Sequence, residues 1–177
     1  MKKIVLPILD DVKKELRARD YILLSGKLYT MRDAAHRRIL EMKREGLKLP
    51  IGLENACIYY TGPTPKKNNR IGAIGPTTSY RMDSYMKELT NLNCTIGKGP
   101  RSEEVKNLAK THHLIYLMAI GGLGAKLSLA VKSMELVAFP ELGPEAIYEL
   151  EVEDFPVIVA YDIYGNSIFT EGKSNER

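Results

Sequence analysis

Residues 71–83 read Ile71-Gly72-Ala73-Ile74-Gly75-Pro76-Thr77-Thr78-Ser79-Tyr80-Arg81-Met82-Asp83 and run on through Tyr85, Met86, Leu89 and Leu92. Gly75-Pro76 breaks the segment before it, and Thr77 or Thr78 stands where a helix cap is needed. Met82, Tyr85, Met86, Leu89 and Leu92 make one apolar stripe at helical spacing, which predicts a helix over 78–92. Outward from this helix lie runs rich in Val, Ile, Leu and Tyr, bounded by Gly, Pro or polar residues. They predict strands over 20–27, 56–60, 114–119, 135–138 and 156–161, with a turn at 164–167 leading into a short strand over 167–170. Ala35, Ile39 and Met42 give a helix over 31–45. Ser102 opens another over 102–110, with Glu103 and Glu104 in its first turn. A fourth is expected over 122–132. Strands and helices alternate in the middle of the chain, and the last third is mainly strand. The class is therefore α/β: a strand-rich mixed-sheet core flanked by helices, not a plain doubly wound sheet.

The 177 residues suit one domain, assigned to 1–170, with a polar tail over 171–177. A chain of this size buries roughly 70% of its unfolded surface and needs no staples. Cys57 and Cys94 are the only cysteines, and His36, His112 and His113 the only histidines. They form no CxxC pair and no zinc spacing, so no metal site is expected within this chain. The net charge is +4, from 26 basic and 22 acidic residues. That modest excess does not suggest nucleic acid, but suits an anionic substrate if a few cations converge. The N-terminus is too soon interrupted by Asp10 for a signal peptide, and the apolar run over 114–125 is too short to span a membrane. The default location is cytoplasmic.

Three cations stand where an anion could join them. Thr30 and Asp33 resemble a capping box, which would place Arg32 in the first turn of the 31–45 helix. Arg has the wrong sign for that end of the helix dipole unless an anion joins it; the plainer reading is a solvated arginine. Arg81 falls in the first turn of the 78–92 helix beside three hydroxyls. That pattern fits either a carboxylate or phosphate site, or a Ser/Thr-rich cap with an Arg–Asp surface pair. Lys98 lies between Gly97 and Gly99, where an unshielded backbone lets a ligand approach; a basic turn is the alternative. Gly121, Gly122 and Gly124 do not satisfy GxGxxG and read as tight strand-to-helix packing. His112-His113 reads as a helix end, and Lys66-Lys67 with Arg70 as a basic loop.

Taken in order, the motifs Thr30-Met31-Arg32-Asp33-Ala34-Ala35-His36, Tyr59-Tyr60-Thr61-Gly62-Pro63, Gly75-Pro76-Thr77-Thr78-Ser79-Tyr80-Arg81-Met82-Asp83, Gly97-Lys98-Gly99, Ile120-Gly121-Gly122, Pro140-Glu141-Leu142-Gly143 and Val152-Glu153-Asp154-Phe155-Pro156 form a series. The series closely resembles the β subunit of class I, iron–sulfur fumarate hydratase and of its relative L(+)-tartrate dehydratase. It also resembles the C-terminal domain of the single-chain class I fumarases. The likeness runs over about residues 5–165 and implies the swivelling β/β/α domain of that family. It implies an α-subunit partner that carries a four-iron–four-sulfur cluster, and an active site between the two subunits. By motif position the substrate-binding cations fall on Arg32, Arg81 and Lys98, and the catalytic hydroxyl on Thr77. Tyr80 stands where the single-chain enzymes often have a small residue, Thr61 replaces an alanine or similar residue, and the Arg81-to-Lys98 spacing is shorter than theirs. The implied reaction is hydration of fumarate to L-malate, with tartrate dehydration as the alternative. A non-catalytic anion-binding module is a third reading. An α2β2 assembly is implied, and a β–β homodimer is possible for the isolated chain.

Overall fold

In the computed structural model, which describes residues 1–66, 68–120 and 124–169, the chain builds one sheet that closes on itself. Its strands are β1 (Lys2–Val5), β2 (Tyr21–Thr30), β3 (Cys57–Tyr59), β4 (Cys94–Gly97), β5 (Ile115–Met118), β6 (Val131–Ala138) and β7 (Ile147–Tyr161). β1 to β5 run parallel in sequence order, and β7 runs antiparallel to β5, β2 and β6. β7 closes the ring: Ile158 sits in register with Met118 of β5 and with Tyr21 of β2. β2, β3, β4, β5 and β7 thus form a closed barrel, with β1 and β6 as flanking strands. Among the described residues, closure leaves those two flanks as edges.

Period-two alternation sorts side chains to either wall. Cys57, Tyr59, Cys94, Ile96, Ile115 and Leu117 point into the barrel, where they meet Ile22, Leu24, Phe155 and Val159. Ile58 and Tyr60 point the other way, into a second core shared with Met31, Ala35, Ile39, Met82 and Met86. That outer core is roofed by α2 (Asp33–Arg44), the 3-10 segment Ser79–Glu88 and α3 (Glu103–His112), here numbered after α1 (Asp10–Glu15). A short α4 (Gly124–Leu127) follows β5.

Several sequence expectations change on folding. The stripe over 78–92 does bury Met82 and Met86, but the segment is 3-10 rather than α-helical. Its start is held from outside: Ser79 N donates to Lys98 O at 2.9 Å, and buried Asp83 is drawn to Arg101. The expected 122–132 helix is only α4 and one 3-10 turn, because Val131 already belongs to β6. β7 begins nine residues earlier than expected, at Ile147. Its Glu149, Glu151, Glu153 and Asp154 make no apolar run, yet they are interleaved with buried Leu150, Val152 and Phe155. The acids face outward, and Lys27 and Lys132 pair with Glu149 and Glu153 at 3.0 and 2.9 Å. The short strand over 167–170 is reduced to one bridge, Tyr161 to Ser167; Thr170 and the 171–177 tail lie outside the described residues. Gly121, Gly122 and Lys67 lie outside them too.

Candidate active site

Parallel strands deliver their carboxyl ends to one edge, where loops can carry ligand-binding groups. Four strands do so here. β2 ends at Thr30, two residues before Arg32; β3 ends at Tyr59, just before Thr61-Gly62; β4 ends at Gly97, just before Lys98; and β5 ends at Met118.

Thr30 is not the helix cap that the sequence suggests. It is the last residue of β2, and its hydroxyl donates to Ala146 O at 3.3 Å and accepts from Tyr148 N at 3.0 Å. A link to a strand over a hundred residues away takes precedence over the local motif. Arg32 itself is the N-cap of α2, with extended backbone and no side-chain cap. Its guanidinium packs along Gly62, where an added Cβ would lie 3.2 Å from both Arg32 Cδ and Nη1. Glu145 Oε1 lies 3.8 Å from Arg32 Nε, too far for a hydrogen bond, so that buried Nε has no acceptor among the described residues. The backbone of Arg32 is pinned by His36, fully buried one turn on. His36 Nδ1 lies 2.8 Å from Arg32 O; a carbonyl only accepts, so Nδ1 carries the proton. His36 stacks on Tyr85 at 5.1 Å, and burial pushes its pKa down to about 4, helped by the charge of Arg101.

The segment 75–81 reaches the same edge. Thr77 N donates to Tyr60 O at 2.6 Å, and Thr61 Oγ1 donates to Gly75 O at 2.7 Å. Lys98 N donates back to Thr77 O at 3.3 Å, so Thr78 and Lys98 pair like a strand extension. Gly97 is needed for this approach: a Cβ there would stand 1.9 Å from Ser79 Oγ. Arg81 is 52% exposed and pairs with Asp33 Oδ2 at 2.9 Å, beside Arg32. The sequence left an Arg–Asp surface pair as one reading of Arg81, and the structure forms such a pair with Asp33. Asp83 is instead buried and committed to Arg101, while α2 presents Asp33 at the right height. Among the described residues neither the Lys98 ammonium nor the Thr77 hydroxyl has a hydrogen-bond or ion-pair partner.

The structure therefore brings Thr77 and Lys98 into direct backbone contact. It joins α2, which carries Arg32, to the segment that carries Arg81 through Asp33. The edge is open: Lys98 and Tyr80 are exposed, and Ile120 is 45% exposed after β5. An apolar groove of about 340 Å³, lined by Pro63, Met134, Leu136 and Pro144, begins next to Gly62. Such a surface can hold a small dianion against one face only; nothing in the described residues closes over it.

Sequence reasoning did not single out Arg101. Its side chain is fully buried and bonds Asp83, Thr95 Oγ1 at 3.2 Å and Tyr60 OH at 3.3 Å, between the rings of Tyr60 and Tyr116. The available signal was Pro100-Arg101 immediately after Gly97-Lys98-Gly99, together with the unexplained Asp83 of the 75–83 motif.

Cys57 and Cys94 lie side by side in register within the barrel wall and are both buried. Among the described residues no group of three or more His, Cys, Asp or Glu side chains could hold a metal ion. The donor set here does not fit an iron–sulfur cluster. His112 closes α3 and His113 adopts the left-handed conformation that stops it, as a helix end requires. Gly124 packs on Gly75, where a Cβ would meet Gly75 N at 2.6 Å, in line with the tight-packing reading. Among the described residues no helix is long and apolar enough to cross a membrane.

Comparison with known proteins agrees with the family resemblance. The family model described as the fumarase C-terminus matches residues 2–172. A Methanocaldococcus jannaschii protein with the provisional name L(+)-tartrate dehydratase subunit beta is 45% identical over 170 residues, covering 91% of this chain and 87% of its own. The L(+)-tartrate dehydratase subunit beta of Escherichia coli K12 is 36% identical and covers 98% of this chain and 89% of its own. The aerobic class I fumarate hydratase of the same strain is 41% identical over 84% of this chain, which spans only 28% of that longer protein.

Proposed function

The chain belongs to the fumarase C-terminus family, and from that premise we propose that it is the β subunit of a two-subunit hydro-lyase acting on a C4 dicarboxylate. The reaction we assign is reversible hydration of fumarate to L-malate. The observation that carries this reading is the half-site: Thr77 and Lys98 paired through their backbones on an open edge, with Arg81 and Arg32 on the adjoining segments. An open half-site calls for a second protein surface, which we assign to an α subunit. The four-iron–four-sulfur cluster belongs to that subunit in this reading, since among the described residues no group of side chains could hold it. The closed sheet with its helical roof is read as the swivelling β/β/α domain of the family, a single domain over 1–170, working in the cytoplasm.

The roles follow from charge and reach. Arg81 pairs with Asp33, and Glu145 stands 3.8 Å from Arg32 Nε; a substrate dianion would take the place of those carboxylates. Arg can grip a carboxylate bidentately, while Lys98 adds a point charge from the other side. A charge pair at 4 Å is worth roughly 4 kcal/mol at an effective dielectric of 20. Three such contacts orient the substrate and stabilise the extra negative charge when the C3 proton of malate leaves. Thr77 is the group assigned to that proton. A hydroxyl is a weak base unless a neighbour accepts its proton, and Asp83, the nearest acid in sequence, is committed to Arg101. The acceptor is therefore assigned to the α subunit.

A second reading, L(+)-tartrate dehydration, is favoured by relatives that are themselves named β subunits and match over most of their length. Anaerobic reconstitution with the candidate α subunit, assayed with fumarate and L-tartrate side by side, tests both. Turnover that requires both chains is expected, and the ratio of the two kcat/KM values assigns the substrate. Activity from this chain alone, or none from the assembled pair on either substrate, would refute the reading.

A further inference from the structure

We propose that Arg101 is a positioning residue for Lys98: its buried pair with Asp83 sets the distance between the Lys98 loop and the segment that carries Thr77 and Arg81. The inference rests on the functional reading above and names a residue beyond its substrate-binding set.

The geometry is a cross-link. The loop Gly97–Ser102 leaves β4, and the segment Ser79–Glu88 runs beside it. Three ties join them. The first is backbone: Ser79 N to Lys98 O at 2.9 Å and Lys98 N to Thr77 O at 3.3 Å. The second is Tyr116, whose hydroxyl donates to Gly99 O at 2.7 Å and lies 2.9 Å from Ser79 Oγ. The third is Asp83, which takes Arg101 Nε on one oxygen and Ser102 N at 2.6 Å on the other. Arg101 in turn rests on the outward row of the barrel wall, bonding Thr95 of β4 and Tyr60 beyond β3. Its own backbone is fixed by Tyr161, which accepts from Arg101 N at 2.8 Å.

A buried ion pair is a poor device for stability alone. The desolvation of two charges offsets most of their attraction, and apolar residues of similar volume often do as well. What the pair offers that apolar packing cannot is a fixed register, because the planar guanidinium satisfies several acceptors in one orientation. That register fixes the loop whose exposed member is Lys98.

The test uses the reconstituted enzyme and whichever substrate it turns over. Arg101→Lys keeps the charge and loses the fork. Misplacement of a binding group by about 1 Å costs on the order of 100-fold, so kcat/KM should fall by about that factor. In a Lys98→Gln background the same change should cost less than about 3-fold, because the group it positions is gone. A purely structural role would give the same loss in both backgrounds. Tyr116→Phe, which removes one hydroxyl and keeps the packing, serves where Arg101→Lys fails to fold; a loss of about 10-fold, again absent without Lys98, is expected. Overturning results are kcat/KM within 3-fold of wild type in a folded, assembled variant, or a full loss repeated in the Lys98→Gln background. If Lys98→Gln alone leaves kcat/KM unchanged, the functional reading fails, and that outcome is separate from the failure of the cross-link.

Discussion

Replacing His36 by Gln should flatten the acid limb of the stability curve. His36 is completely buried under Tyr60 and Tyr85, with its Nδ1–H on Arg32 O and no partner for Nε2. Burial is the main reason that its pKa falls from 6.5 to about 4, and Arg101 pushes the same way while Asp33 opposes. A group with a depressed pKa of this kind is neutral when folded, but takes up a proton once unfolded. Below about pH 6.5 the unfolded state binds more protons, so stability is lost as pH falls from 6.5 toward 4. The cost is almost nil at pH 7, about 2 kcal/mol at pH 5 and about 3 kcal/mol at pH 4. Gln at 36 stays polar and cannot titrate in this range. Urea unfolding of both proteins at pH 7, 5.5 and 4.5 reads the difference, because every other group cancels between them. The variant should start less stable and lose less on acidification. Parallel curves would refute the argument, as would an NMR titration placing the native His36 midpoint near 6.5.

Three further predictions concern the site and its approach. Thr77→Ala in the reconstituted enzyme should lower kcat by about 10²- to 10⁴-fold with KM little changed, and an unchanged kcat removes Thr77 from proton transfer. Arg81→Lys should lower kcat/KM by about 10- to 100-fold through loss of the fork, and wild-type kinetics would reduce Arg81 to the partner of Asp33. Gly97→Ala sets a Cβ 1.9 Å from Ser79 Oγ and 3.0 Å from the Tyr60 ring. It should cost about 1–3 kcal/mol in chemical denaturation, and an unaltered midpoint would show that the Lys98 loop does not need this approach.

How far the fold was legible depends on the range of the interactions. Ser102 was readable as a cap because its hydroxyl meets Val105 N, three residues away, at 3.3 Å. The strands at 56–60 and 114–119 were readable because both faces of β3 and β5 are apolar: Ile58 joins the outer core, while Tyr116 packs with Ala109, Ala160 and Tyr161. β7 was only half readable, since its acids alternate with core residues over a length that an apolar run does not mark. β1 was missed because only Ile4 of its four residues is buried. Closure of the barrel by β7 has no local signature at all; it depends on Ile158 serving two neighbours.

The candidate site shows the same division between near and distant causes. Arg32 drew attention through an apparent capping box, Thr77 and Arg81 through the Gly75-Pro76 break, and Lys98 through its flanking glycines; Arg32 and Lys98 follow the ends of β2 and β4. The partners of these residues were not readable. Asp33 rather than Asp83 faces Arg81, and Thr30 leaves the cap of α2 to reach β7. The exchange at Arg81 has a definite cause: Asp83 goes to Arg101, which is buried and cannot be left unpaired, whereas exposed Arg81 loses little by taking a surface partner. The stronger demand decides the pairing, and the weaker pair stays open to exchange. An arginine that acts on a passing dianion must not already be locked to a buried carboxylate. The arrangement therefore places the inflexible pair behind Lys98 and leaves the exchangeable one, Arg81 with Asp33, at the open edge.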